Sequence, residues 1–215
     1  MGVDINQLQN QWRTVCRPFT ADKQLVEAIF ADLVEQYRAD SRYYHNLQHI
    51  HNVLMTIDDL ESLLQDATAV RLAAWFHDIV YEVQPANERL SNEERSANYA
   101  AQALQSLSAP KSTTMLVQRL IRATQLNYPV PNDPNFHVLL DADLAILAAD
   151  CKEYNQYASA IRQEFAFVPE AQYRSGRRQV LESFLEREQI FLTDKMFQER
   201  EAKARLNIQH ELANL

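Results

Sequence analysis

Glycine is almost missing from this chain: only Gly2 and Gly176 occur in 215 residues. Phosphate-cradling loops of the P-loop and dinucleotide-binding kinds need several positions without a Cβ, so both are excluded. Asn-Gly hairpin turns are missing as well, which argues against extensive β-sheet. Cysteine is equally sparse. Cys16 and Cys151 form no CxxC pair and no ligand cluster, and they read as reduced core thiols of a cytoplasmic protein. No run of about eighteen apolar residues occurs, and the opening MGVDINQLQNQW has no apolar stretch of signal-peptide type. Nothing is therefore expected to span a membrane. Positive charge is also in deficit, with 21 Lys and Arg against 29 Asp and Glu and a net charge of −8. That balance disfavours duplex nucleic acid and anionic membranes as partners. A small anionic substrate stays compatible, because a bound metal and a few arginines reverse the local field.

What the chain has is helical periodicity from end to end. Segments 5–16, 21–39, 45–65 and 67–80 each carry an apolar stripe, with Leu25, Ile29, Leu33 and Tyr37 on the second and Ile50, Val53, Leu54, Ile57, Leu60 and Leu64 on the third. The segment 67–80 is apolar around most of its circumference and reads as a central, doubly covered helix. Ser91-Asn-Glu-Glu94 is a capping box opening a helix to about Leu107, and Pro110 separates it from 112–125. A proline-rich loop covers 127–134. Helices resume over 136–149, 152–165, 170–188 and 194–212. No repeat or composition break marks a boundary. The expectation is one all-α domain over residues 1–215, with about nine or ten helices and the C-terminal ones packed on a core formed by 42–150.

Histidine and aspartate on the buried faces of such helices need partners, and a divalent ion is the simplest one they share. In YYHNLQHIHNVL, His45 and His49 are four residues apart and share a helical face, while His51 lies about 200° from His49 and points away. In AAWFHDIVYE, His77 and Asp78 are about 100° apart on a helix and can reach one ion beside it. In VLLDADLAIL, with Leu140, Leu144 and Leu147 taken as the buried face, Asp143 falls about 40° from its centre and Asp141 near 120°. Asp143 is the better ligand; Asp141 reads as solvated, capping, or a partner of the ligands. Neither HExxH nor Glu-x-x-His occurs, which removes zincin and helical di-iron sites. No basic recognition helix of a DNA reader stands out.

His49, His77-Asp78 and Asp143 in this order on an all-α chain resemble the HD superfamily of metal-dependent phosphohydrolases. HIHNV is similar to the first motif of that family, WFHDIVYE to its HD dipeptide, and DADLAIL to its final Asp motif. RYYH at 42–45, NEERSA at 92–97 and YRSGRRQVLESFLERE near the C-terminus resemble a bacterial branch of predicted HD phosphohydrolases. The resemblance implies an HD-type helical domain and metal ligation by His49, His77, Asp78 and Asp143. It departs from dinuclear relatives, because only His137 lies between the HD pair and Asp143; one metal is expected. Where some nucleotide-cleaving relatives place a Glu as general base, this chain has Tyr81, with Glu82 one step later.

Two imidazoles and two carboxylates favour Mn, Fe, Co, Ni or Zn as the divalent ion, with Mg possible, and leave positions for water and a phosphate oxygen. The implied reaction is hydrolysis of a phosphate ester or anhydride of a small molecule, with a nucleotide the leading candidate. Asp78, Glu82 and His45 are the candidate catalytic residues. His45 stays open between general acid, pocket wall and hydrogen-bond partner of a ligand. Arg42 is the candidate substrate contact, while Arg174, Arg177 and Arg178 read as a solvated face pairing with Glu182. The competing reading is a non-catalytic binding or regulatory module that keeps the metal for structure or sensing.

Overall fold

Short polar side chains that accept orphan backbone N–H groups start most of the helices. In the computed structural model, which describes residues 3–20, 22–82 and 90–215, Asp4 caps α1 (Ile5–Cys16), Asp22 caps α2 (Lys23–Tyr37) and Asn46 caps α3 (Leu47–Asp59). Asp66 caps α4 (Ala67–Phe76), and Ser91 caps α5 (Asn92–Ser106) by accepting from the Glu94 N–H. After α6 (Lys111–Ala123), Asp133 caps α7 (Pro134–Leu144), Asp150 caps α8 (Cys151–Glu164) and Thr193 caps α10 (Asp194–Asn214). The two helices without a side-chain cap, α6 and α9 (Glu170–Leu185), follow Pro110 and Pro169 instead. Single 3₁₀ turns follow α3 and α7. The described residues are all-helical, with no strand among them.

As its composition demands, α4 is central: Ala69, Val70 and every residue from Leu72 to Phe76 are buried. It packs against α1, α3, α5, α6 and α7. Around it, Trp12 meets Trp75 and Phe76 edge-on, each with ring centroids 5.7 Å apart. These contacts fix α1 on α4 by aromatic packing. The polar ends are satisfied, since the Trp12 indole N–H donates to Val26 O and the Tyr37 hydroxyl to Trp75 O, both at 2.9 Å. On α2 the deeply buried stripe is Val26, Phe30, Leu33 and Tyr37, with Leu25 and Ile29 only at its edge.

Several helix ends differ from the sequence expectation. The run through Val80 stops at Phe76. His77 is its C-cap, its Nδ1 lies 2.9 Å from Ala74 O, and Arg42 captures the carbonyls of Asp78 and Ile79. Helix α3 begins at Leu47, so His45 precedes it and the shared-face argument for His45 and His49 does not apply. Pro134, expected in the loop, opens α7 at a position where its missing N–H costs nothing. Residue 21, expected to begin the second helix, and residues 83–89 lie outside the described residues. The cysteines differ in burial: Cys16 is in the core as expected, but Cys151 is exposed at the first turn of α8. Both are free thiols.

Candidate metal centre

Three segments bring four side chains to one point. His49 stands on the first turns of α3, whose inner face of Ile50, Val53, Leu54 and Ile57 is buried and carries the imidazole inward. His77 and Asp78 lie in the turn that leaves α4, and Asp143 lies at the last turn of α7. One ligand atom from each falls within 4.8 Å of every other. The two imidazole Nε2 atoms are 3.0 Å apart. From His49 Nε2, Asp78 Oδ2 is 3.6 Å and Asp143 Oδ1 3.3 Å away. From His77 Nε2 the same oxygens are at 3.2 and 3.4 Å. Adjacent donors around an ion with bonds of about 2.0–2.2 Å stand roughly 3–3.6 Å apart, so these spacings fit a common cation.

The chemistry of the donors fits as well. With Ala74 O accepting from the Nδ1–H of His77, its Nε2 presents a lone pair to the cluster. Two imidazole lone pairs and two carboxylates then face one another in a site where both histidines are buried. A cation or a proton has to sit among them. Burial pushes the carboxyls of Asp78 and Asp143 up, yet the facing imidazoles, His77 foremost, override it and hold both well below the usual carboxylate range. Burial pushes both imidazoles down; for His77 the two aspartates outweigh it and raise the group, whereas His49 stays lowered. A divalent ion held there would balance the two carboxylates with both imidazoles neutral.

The other residues singled out in the sequence fall around this cluster differently. His45 lies beside it, with its ring 5.8 Å from that of His49 and stacked on Tyr81 at 3.9 Å. Arg42 donates to the carbonyls of His45 at 3.1 Å, Asp78 at 2.5 Å and Ile79 at 2.7 Å. Its guanidinium thus braces the turn that carries His77 and Asp78. Glu82 is not brought to the cluster; it is exposed and pairs with Arg95 through both carboxylate oxygens at 2.9 and 3.2 Å. Asp141 corrects the solvated reading. It is fully buried and accepts from the Leu192 N–H, the Thr193 N–H and the Thr193 hydroxyl at 2.6, 2.8 and 2.6 Å. His51 is not among the four residues that converge, and its Nδ1 is buried without a partner among the described residues.

Glu164 was missed. Its buried carboxylate accepts from the backbone N–H groups of Tyr44 and His45 at 2.8 and 2.9 Å, and its other oxygen lies 2.7 Å from His45 Nδ1. The clue was its place on the apolar stripe of α8, seven residues before which stands Tyr157 and three before which stands the buried Ile161. Next to the cluster opens a cavity of about 980 Å³ whose wall includes His45, Tyr81, Asp143, Tyr157, Phe165 and Arg177. Leu140 and Leu144, taken from sequence as buried, line this cavity, which is why Asp143 on the same face reaches it. Arg177 departs from the solvated reading too: it is buried and grips Glu211 at 2.7 and 3.0 Å. Arg174 and Arg178 are exposed and pair with Glu170 and Glu182. No protein-family model matches the chain, and neither a curated protein nor a solved structure matches it.

Proposed function

We propose that this chain is a metal-dependent phosphohydrolase of HD type, cleaving a phosphate ester or anhydride of a small molecule, with nucleotides the first class to test. One observation carries the reading: His49, His77, Asp78 and Asp143 converge within 4.8 Å at the edge of a cavity large enough for such a molecule. His49, His77, Asp78 and Asp143 would hold a divalent ion, which would supply Lewis acidity toward a phosphoryl oxygen and lower the pKa of water. The chain's own groups do the positioning. Arg42 fixes the turn bearing His77 and Asp78 by holding its carbonyls. Glu164 holds His45 through Nδ1, so the ring's other nitrogen is the one left for the cavity, where it can give a proton to a leaving oxygen. The apolar walls limit water around the reacting groups.

The competing reading, a regulatory or binding module that keeps its metal without turnover, draws on Glu82. With that carboxylate tied to Arg95, the group expected to position water is engaged elsewhere. A panel of phosphomonoesters, mononucleotides and pyrophosphorylated nucleotides with added Mn²⁺ or Co²⁺ separates the two. Metal-dependent phosphate release that disappears in Asp78→Ala supports the hydrolase. A well-metallated protein inert across the panel favours the module.

A further inference from the structure

Among the described residues, one cationic side chain of the cavity has no ion-pair partner. Arg177 is bound on two nitrogens by Glu211 and on a third by the Tyr157 hydroxyl, so it is not available to a ligand. Arg187 also lines the cavity, half-buried, with its guanidinium over the Phe184 ring at 4.6 Å. Among the described residues no carboxylate pairs with it, and burial pushes the guanidinium down with nothing to offset it. A half-buried arginine without a counter-ion is a poor structural element and a good anion receptor.

The backbone that carries Arg187 is held from several sides. Arg205 donates to the carbonyls of Leu185, Arg187 and Glu188 at 3.0, 2.7 and 3.1 Å. Glu201 accepts from the N–H groups of Ile190 and Phe191, and Asp141 from those of Leu192 and Thr193. The strap from 185 to 193 is therefore braced by α10 and by the same helix that bears Asp143. Such bracing lowers the ordering cost of binding. The rest of the wall is largely apolar and aromatic, including Leu126, Tyr128, Phe165 and Tyr173.

We propose that this cavity takes an amphiphilic anion: an apolar or aromatic body seated against its walls, with an anionic group held by Arg187. That such a molecule also carries the phosphoryl group at the metal centre rests on the hydrolase reading above. The substrate class is then a phosphate ester or anhydride with an aromatic or apolar body and a second anionic group, and Arg187 sets that specificity.

The test uses metal-free full-length protein, so it needs no turnover. The probes are 8-anilinonaphthalene-1-sulfonate and its uncharged counterpart N-phenyl-1-naphthylamine, titrated by fluorescence, with near-UV circular dichroism checking that each variant is packed. Arg187→Met is expected to weaken the sulfonate by about 10-fold or more, the scale of one lost charge-assisted hydrogen bond, and to leave the uncharged probe bound. Arg187→Lys is expected to keep most of the sulfonate affinity. Unchanged sulfonate affinity in Arg187→Met, equal loss of both probes, or no sulfonate binding by the unaltered protein would each overturn the inference. An inert hydrolysis panel beside the expected probe result removes the hydrolase and leaves the receptor standing. An active panel beside unchanged sulfonate affinity does the reverse.

Discussion

Asp141 and Asp143 lie two residues apart on α7, yet the first ends against backbone N–H groups and a hydroxyl while the second ends against imidazoles. Removing their charges should therefore have different consequences. Asp143→Asn takes away a ligand and relieves two crowded carboxylates, so metal bound per folded protein should fall well below one equivalent while the metal-free fold survives. Asp141→Asn leaves the ligands in place but cannot satisfy donors on both of its oxygens; a loss of about 1–3 kcal/mol in denaturant unfolding is expected, with metal stoichiometry kept. Elemental analysis beside urea melts reads both, and a reversal of the pair would show that the sphere has been assigned to the wrong carboxylate. The cysteines differ in the same residue-level way. Burial pushes the Cys16 thiol up to about 12, while Cys151 is exposed. A thiol reagent at neutral pH should modify Cys151 promptly and Cys16 only on unfolding, giving one reactive equivalent in native protein and two in denaturant.

At the scale of the element, α8 is joined to the entrance of α3 by a single carboxylate. Glu164 is buried, which pushes its carboxyl up, but His45 and the two backbone N–H groups prevail and hold it below the usual carboxylate range. A lowered carboxyl favours the fold above the unfolded value of about 4.3, and that contribution disappears as pH falls through the folded value. Glu164→Gln should accordingly cost about 1–3 kcal/mol at pH 7, with the gap to the unaltered protein closing in acid below about pH 4. Unfolding curves at several pH values check it; a gap independent of pH would mean that packing, not charge, makes the link. This joint also marks where sequence reading stopped. Helix existence, Ser91 as a cap and the inward face of His49 follow from nearby residues, so they were legible. Asp143 was legible for a different reason, since Leu140 and Leu144 of the stripe chosen as buried line the cavity, while Leu147 is buried. Helix ends were not, because Arg42 ends α4 from more than thirty residues away in sequence. Nor was the His45–Glu164 pair, whose members stand 119 residues apart and belong to different elements. The arginine trio hid Arg177 because its partner, Glu211, lies on α10.

Over the whole molecule, the four candidate ligands come from three parts of the chain around the central helix: α3, the turn after α4, and the end of α7. In a chain of net charge −8, two of its carboxylates confined beside each other repel, and an ion would remove that repulsion. Unfolding scatters the ligands, so an ion that binds only the folded state stabilises it by mass action. At free metal about 100 times its Kd the gain is about 2.7 kcal/mol. For a protein of this size each kcal/mol moves Tm by roughly 2–4 °C, so Mn²⁺, Co²⁺ or Zn²⁺ should raise Tm by about 5–10 °C over chelator-treated protein. The shift should vanish in His49→Ala and Asp143→Asn yet persist in Glu82→Gln, since Glu82 pairs with Arg95 away from the ligands. Calorimetry of the three variants with and without metal decides the point. An equal rise in all of them would locate the ion elsewhere, and no rise in the unaltered protein would mean that protons, not a metal, hold the two histidines and two aspartates together.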